Sequence, residues 1–108
     1  MKGYGKALIM GNLTADPEKR EINSSDGEPL SKVEFSVAVK EREEDEPQFL
    51  RCEAWNKLGD IVMMAKKGEP IFIEAKIDQH NYKDKEGNNR TITKYRAREF
   101  RFLGSKQQ

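Results

Sequence analysis

The stretch QFLRCEAWNKLGDIVMMAKKGEPIFIEAKIDQHNY, residues 48–82, changes its hydrophobic period twice. Over Gln48–Trp55 the pattern alternates. Leu50, Cys52 and Ala54 fall on one face of a strand, and Phe49, Arg51, Glu53 and Trp55 on the other. Charged residues are rarely buried, so the face that carries Arg51 and Glu53 is expected outside, and it takes two large aromatics with it. From Leu58 the period lengthens. Leu58, Ile61, Val62 and Ala65 recur at the spacing of a single helical face, which predicts a helix over Lys57–Lys67, capped by Asn56 and stopped by Gly68. From Pro70 the alternation returns, with Ile71, Ile73, Ala75 and Ile77 inward and Phe72, Glu74, Lys76, Asp78, His80 and Tyr82 outward.

Working outward from this stretch, Ala7–Met10 is a short apolar run closed by Gly11-Asn12 and reads as the first strand. Ala15-Asp16-Pro17 and Ser24-Ser25-Asp26-Gly27 read as turns. Lys32–Lys40 alternates cleanly, with Val33, Phe35, Val37 and Val39 inward. Glu41–Pro47 is a mobile acidic tip, and Asp84–Asn89, with Gly87, is a hairpin tip. Arg90–Leu103 is the last strand, bent or bulged near Arg98-Glu99, where the apolar phase breaks. Five strands with one helix between the third and fourth is the order of an OB-fold, an all-β, five-stranded Greek-key barrel. A single domain is expected over 1–104, followed by a short C-terminal end at 105–108.

Bulk composition narrows the function. The net charge is only +1, so overall basicity does not argue for nucleic acid, but the charge is uneven. Residues 1–69 sum to −3 and residues 70–108 to +4, which points to one basic region. The lone cysteine, Cys52, makes no intrachain disulfide and falls on an inward position, as core filler in a reduced, cytoplasmic protein. A lone Cys52 and a lone His80 exclude the usual zinc clusters, and no cofactor is expected. No signal peptide or membrane-spanning run stands out, so no membrane partner is expected. No phosphate-binding loop, dinucleotide fingerprint or nucleophile set is present, and the adjacent carboxylates of 43–46 lie on a loop tip; an enzyme is not expected.

The outward aromatics carry the functional reading. Phe49, Trp55 and Tyr82 point outward among Arg51, Lys57, Lys76, His80 and Lys83, and the following hairpin adds Lys85 and Arg90. Flat rings interleaved with cations suit single-stranded nucleic acid: each unpaired base stacks on a ring and each phosphate meets a positive charge. The same rings could instead fill a homo-oligomer interface, and the pattern alone does not choose. Stacking also leaves RNA open beside DNA.

Four segments in order resemble the bacterial single-stranded DNA-binding protein family: KALIMGNLTADPEKRE, SKVEFSVAVKE, QFLRCEAWNKLGDIVMMAKKG and IFIEAKIDQHNYKDKEGNNRTITKYRA. The resemblance runs from about Gly5 to Gly104 and implies a non-catalytic OB-fold protein of replication, recombination or repair, usually a homotetramer. Position by position, Phe49, Trp55 and Tyr82 match the family's base-stacking aromatics. Lys57 and Lys67 match basic residues along the DNA path, and Arg51 matches the arginine of the third strand. Tyr4, Ile9, Phe72 and the end of the last strand are expected at subunit contacts, in a tetramer or, failing that, a dimer. The resemblance also implies a bacterial, phage or plasmid setting.

Two departures bear on function. Asp78-Gln79-His80-Asn81 carries no permanent positive charge where the family often has Arg or Lys, and 41–46 is acidic, with Arg42 its one candidate contact. Both imply weaker binding than is usual for the family. The sequence ends without the family's acidic tail, so tail-mediated recruitment of repair proteins is not expected. That leaves a second reading, an OB-fold interaction subunit of a replication-restart type complex.

Overall fold

The computed structural model describes residues 1–104. The chain runs β1 (Lys6–Leu13), β2 (Glu18–Asn23), β3 (Pro29–Val39), β4 (Gln48–Trp55), α1 (Asn56–Val62), β5 (Pro70–Lys83) and β6 (Asn89–Phe102). The strands lie in the order β1-β5-β6-β4-β3-β2, and β1 also pairs with β3 at Asn12↔Ala38 and Leu13↔Val37. That last pairing closes a ring of five strands, with the helix between the third and fourth of them, as expected for an OB-fold. The short C-terminal end expected at 105–108 lies outside the described residues.

The alternation in the sequence becomes the core. Val33, Phe35 and Val37 of β3, Cys52 and Ala54 of β4, and Ile71, Ile73 and Ala75 of β5 are all buried. Phe100 meets Phe35 edge-on at 6.1 Å between ring centres. Burial pushes the Cys52 thiol up to about 12, consistent with a core residue. The irregularity expected near Arg98 is a β-bulge. Glu74 pairs with Glu99 and Ala75 with Ala97, which leaves Arg98 as the extra residue.

Several expectations are corrected. Glu18–Asn23, without an expected element between its two flanking turns, is a strand on β3, from Glu18↔Glu34 to Asn23↔Pro29. Its single apolar residue, Ile22, gives no alternation to read. Asn56 does not cap α1 with its side chain. It sits at φ 53°, a left-handed conformation that asparagine tolerates, and its Oδ1 accepts the Ser31 N–H at 3.1 Å. The helix stops at Val62 rather than Lys67, because the chain beyond it is drawn onto β1: Gly68 N–H donates to Leu13 O and Leu13 N–H to Glu69 O. Ile61 is exposed, and the helix packs through Gly59 and Val62. A Cβ on Gly59 would stand 2.9 Å from the Val33 side chain. Ile77, expected inward, is exposed: β1 stops pairing with β5 at Lys6↔Lys76, and past Ile77↔Tyr95 β5 and β6 continue as a two-stranded arm beyond the core. Ile9, expected at a subunit contact, is a buried core residue. Glu53, expected outside, is 6% exposed.

Candidate nucleic-acid interface

Register places the sequence-derived residues on the sheet. In β4, Phe49, Arg51, Glu53 and Trp55 alternate onto the outer face, beside Ala38, Ser36, Glu34 and Lys32 of β3. On the other side of β4, Glu53 pairs with Arg96 of β6. Arg96 pairs in turn with Lys76 of β5, and six residues along the same strand Tyr82 pairs with Arg90. Phe49, Arg51, Trp55, Lys76, Tyr82 and Arg90 therefore share one continuous outer surface.

The three rings differ in setting. Phe49 is 65% exposed near the start of β4, and Tyr82 is 50% exposed near the end of the arm. Trp55, at the junction of β4 and α1, is only partly exposed, and its Nε1–H donates to Glu53 Oε1 at 3.3 Å. Lys32 Nζ lies 5.7 Å and the Arg96 guanidinium 5.2 Å from its ring centre, within the range of a cation–π contact.

The basic residues divide into two groups. Arg51 lines a cleft of about 370 Å³ with Glu18, Glu34, Glu53, Ile92 and Lys94. At the arm's end, Tyr82, Lys83, Arg90 and Asn81 border a groove, and Lys85 stands in the turn between the strands. That turn is built on Asp84. Its carboxylate accepts the backbone N–H of Glu86 and Asn88 and the Nε–H of Arg90 at 2.9 Å. The Arg90 contact, with the backbone bonds to Asn88 and Glu86, holds the Asp84 carboxyl below its ordinary value. Lys57 and Lys67 lie off the sheet face. Lys57 is in the first turn of α1, and Lys67 follows the helix, its backbone N–H bonded to Asp16, in a cleft shared with Met64, Pro70 and Phe102.

Other parts of the surface went unassigned in the sequence. Lys32 was legible as an outward residue of its strand. Lys94 and Arg96 join the face through the parallel pairing of β4 with β6, which has no local sequence signal. Acidic loop 41–46 closes as a turn in which Asp45 accepts the Arg42 N–H and pairs with its guanidinium at 3.2 Å. Around the ring, β1 and β5 present Leu8, Met10 and Phe72 outward, and Leu8 and Met10 are each 63% exposed.

Comparison with known proteins follows this geometry. Residues 5–103 match the model of the Single-strand binding protein family. The chain is 32% identical over 104 residues to the Single-stranded DNA-binding protein of Onion yellows phytoplasma (strain OY-M), covering 95% of this chain and 97% of that one. It is 34% identical over 116 residues to Single-stranded DNA-binding protein 1 of Xylella fastidiosa (strain 9a5c), covering 99% and 82%. Its fold resembles the crystal structure of a deletion mutant of the single-stranded DNA binding protein from Thermus aquaticus, with a TM-score of 0.71 at 22% identity, over 95% of this chain and 42% of that one. The matched span takes in all of the ring, the helix and the arm, and on that ground the chain belongs to the single-strand binding protein family.

Proposed function

We propose that this chain binds and coats single-stranded DNA with little sequence preference, residues 1–104 acting as one binding domain. The observation that carries the reading is the outer sheet surface on which Phe49, Trp55 and Tyr82 are interleaved with Arg51, Lys76, Lys94 and Arg96. Bases stack on the rings while phosphates meet the cations, an arrangement that needs unpaired bases and disfavours duplex. Lys83, Lys85 and Arg90 extend the path along the arm, and Lys57 and Lys67 along the helix side. The role is non-catalytic, in replication, recombination or repair, and the names of the relatives support it.

The exposed Leu8 and Met10, with half-buried Phe72 between β1 and β5, support self-association, and a homotetramer is the proposed assembly. A sedimentation mass near a single 12.5 kDa chain at micromolar concentration would overturn it.

The chain has one tryptophan, and it lies on the proposed surface. Titration with oligo-dT should quench Trp55 fluorescence, and matched duplex should not. An unquenched, already blue-shifted Trp55 would favour the second reading, an OB-fold interaction subunit, which the acidic 41–46 loop supports.

A further inference from the structure

Among the described residues, Glu53 is the one buried charged or polar side chain. It lies in the middle of the outer sheet face, not in the barrel core. A buried carboxylate is costly without partners, and a strand position beside Cys52 and Ala54 could hold an apolar residue at no such cost. Both contacts of Glu53 are on the binding surface. Oε1 accepts the Trp55 indole N–H at 3.3 Å, and Oε2 lies 3.6 Å from Lys32 Nζ. Lys32 is itself largely buried, with 17% of its side chain exposed, and its ammonium stands over the same indole.

We propose that Glu53 is a positioning residue: it fixes the Trp55 ring as a preorganised stacking platform, by holding the indole N–H and by holding Lys32 along the ring. The proposal rests on the reading of this surface as the single-strand binding site. An indole on the junction between β4 and α1 has rotamer freedom, and a base that stacks on a wandering ring must first order it. Glu53 orders it in advance, so that this cost is not met at binding.

Replacing Glu53 also removes a negative charge that phosphates would meet, so the two effects must be separated. Glu53→Gln and Glu53→Leu are both neutral, but only Gln accepts the indole N–H. Binding of oligo-dT is measured at about 1 M salt, where the Debye length is about 3 Å and phosphate attraction is screened. The expected result is that Glu53→Leu binds about fivefold more weakly than Glu53→Gln, the net worth of one hydrogen bond. In a Trp55→Phe background, which lacks the N–H, the two should bind alike. Glu53→Leu leaves the largely buried Lys32 ammonium and the indole N–H without this partner, so it should unfold earlier than the native protein, and binding is compared where urea denaturation shows both variants folded. Glu53→Val serves as the second non-accepting variant should Leu fail to fold.

Equal binding by the Gln and Leu variants, with the native protein binding normally, would overturn the positioning role alone. A difference that persists in the Trp55→Phe background would also overturn it, since the effect would then not pass through the indole. No binding of oligo-dT by the native protein at low salt, where phosphate contacts are at full strength, would overturn the single-strand reading and the positioning role together.

Discussion

The Arg96 guanidinium lies 5.2 Å from the centre of the Trp55 ring, and the two residues reach that contact from parallel strands more than forty residues of chain apart. Lys32 approaches the same ring from β3, the strand on the other side of β4. The least exposed of the three proposed stacking rings is thus flanked by cations from both neighbouring strands.

The ion pairs of the surface set an expectation for salt dependence. Arg51, Lys76, Lys94 and Arg96 make no ion pair among the described residues, whereas Arg20, Lys32, Arg42 and Arg90 are engaged by carboxylates. Four free cations on the sheet face correspond to a log K against log salt slope of about −3 for a single strand, and Lys57, Lys67, Lys83 and Lys85, also without an ion pair among the described residues, set a limit of about −6 if all of them meet phosphates. Arg96→Gln should reduce it by about 0.7. A slope near −7, as for about ten phosphate contacts, would contradict this count of free cations.

Phe49 and Tyr82 are both exposed, so truncating them should separate binding from stability. Phe49→Ala and Tyr82→Ala are each expected to weaken oligo-dT binding by about 1–3 kcal/mol. Their unfolding free energies should stay within about 0.5 kcal/mol of native, as for surface positions. Fluorescence titration and urea denaturation check the two halves. Full-affinity binding by either variant would remove that ring from the stacking set.

The arm's turn has a defined pH window. Because the Asp84 carboxyl is held below 3.8, chiefly by Arg90, its ionised form is favoured in the folded turn. The order it confers is present above 3.8 and lost as pH falls through the depressed value. The amide signals of Glu86 and Asn88, both hydrogen-bonded to Asp84, should stay flat from neutral pH down to about 5 and move only in stronger acid. Asp84→Asn should shift them at neutral pH. A titration midpoint at or above 3.8 would show that the contact does not hold in solution.

Ring closure depends on Gly11. A Cβ there would lie 2.2 Å from Ala38 O, beside the short β1–β3 pairing. Gly11→Ala forces backbone apart at that seam and should destabilise the protein by about 1–3 kcal/mol or more, read from the urea midpoint. An unchanged midpoint would mean that the seam is loose.

The strands with one face on the core were legible because burial of that face imposes a period of two. Val33, Phe35 and Val37, and Ile71, Ile73 and Ala75, announce their direction without any partner strand. Phe49, Trp55 and Tyr82 were legible as outward residues by the same rule. Where a segment has no buried face the rule is silent. It missed β2, whose residues apart from Ile22 are polar on both sides, and it misplaced Ile77 at the root of an arm that leaves the core. Helix length was misread because the apolar spacing continues to Ala65 while backbone bonds from Gly68 and Glu69 to Leu13 turn the chain away.

The sequence by itself determined the period of each core strand, the break at Arg98, the turns at Gly27 and Gly87, and which rings avoid the core. Each of these follows from local sterics and from burial of one face. Tertiary structure decided which strands lie side by side, and so which cations reach which rings. Arg96 comes to Trp55, and Glu53 is covered, only because β4 pairs in parallel with β6 while β3 closes the other side. Such contacts join residues far apart in the chain, and alternation fixes the face of a residue but not its neighbour across the sheet.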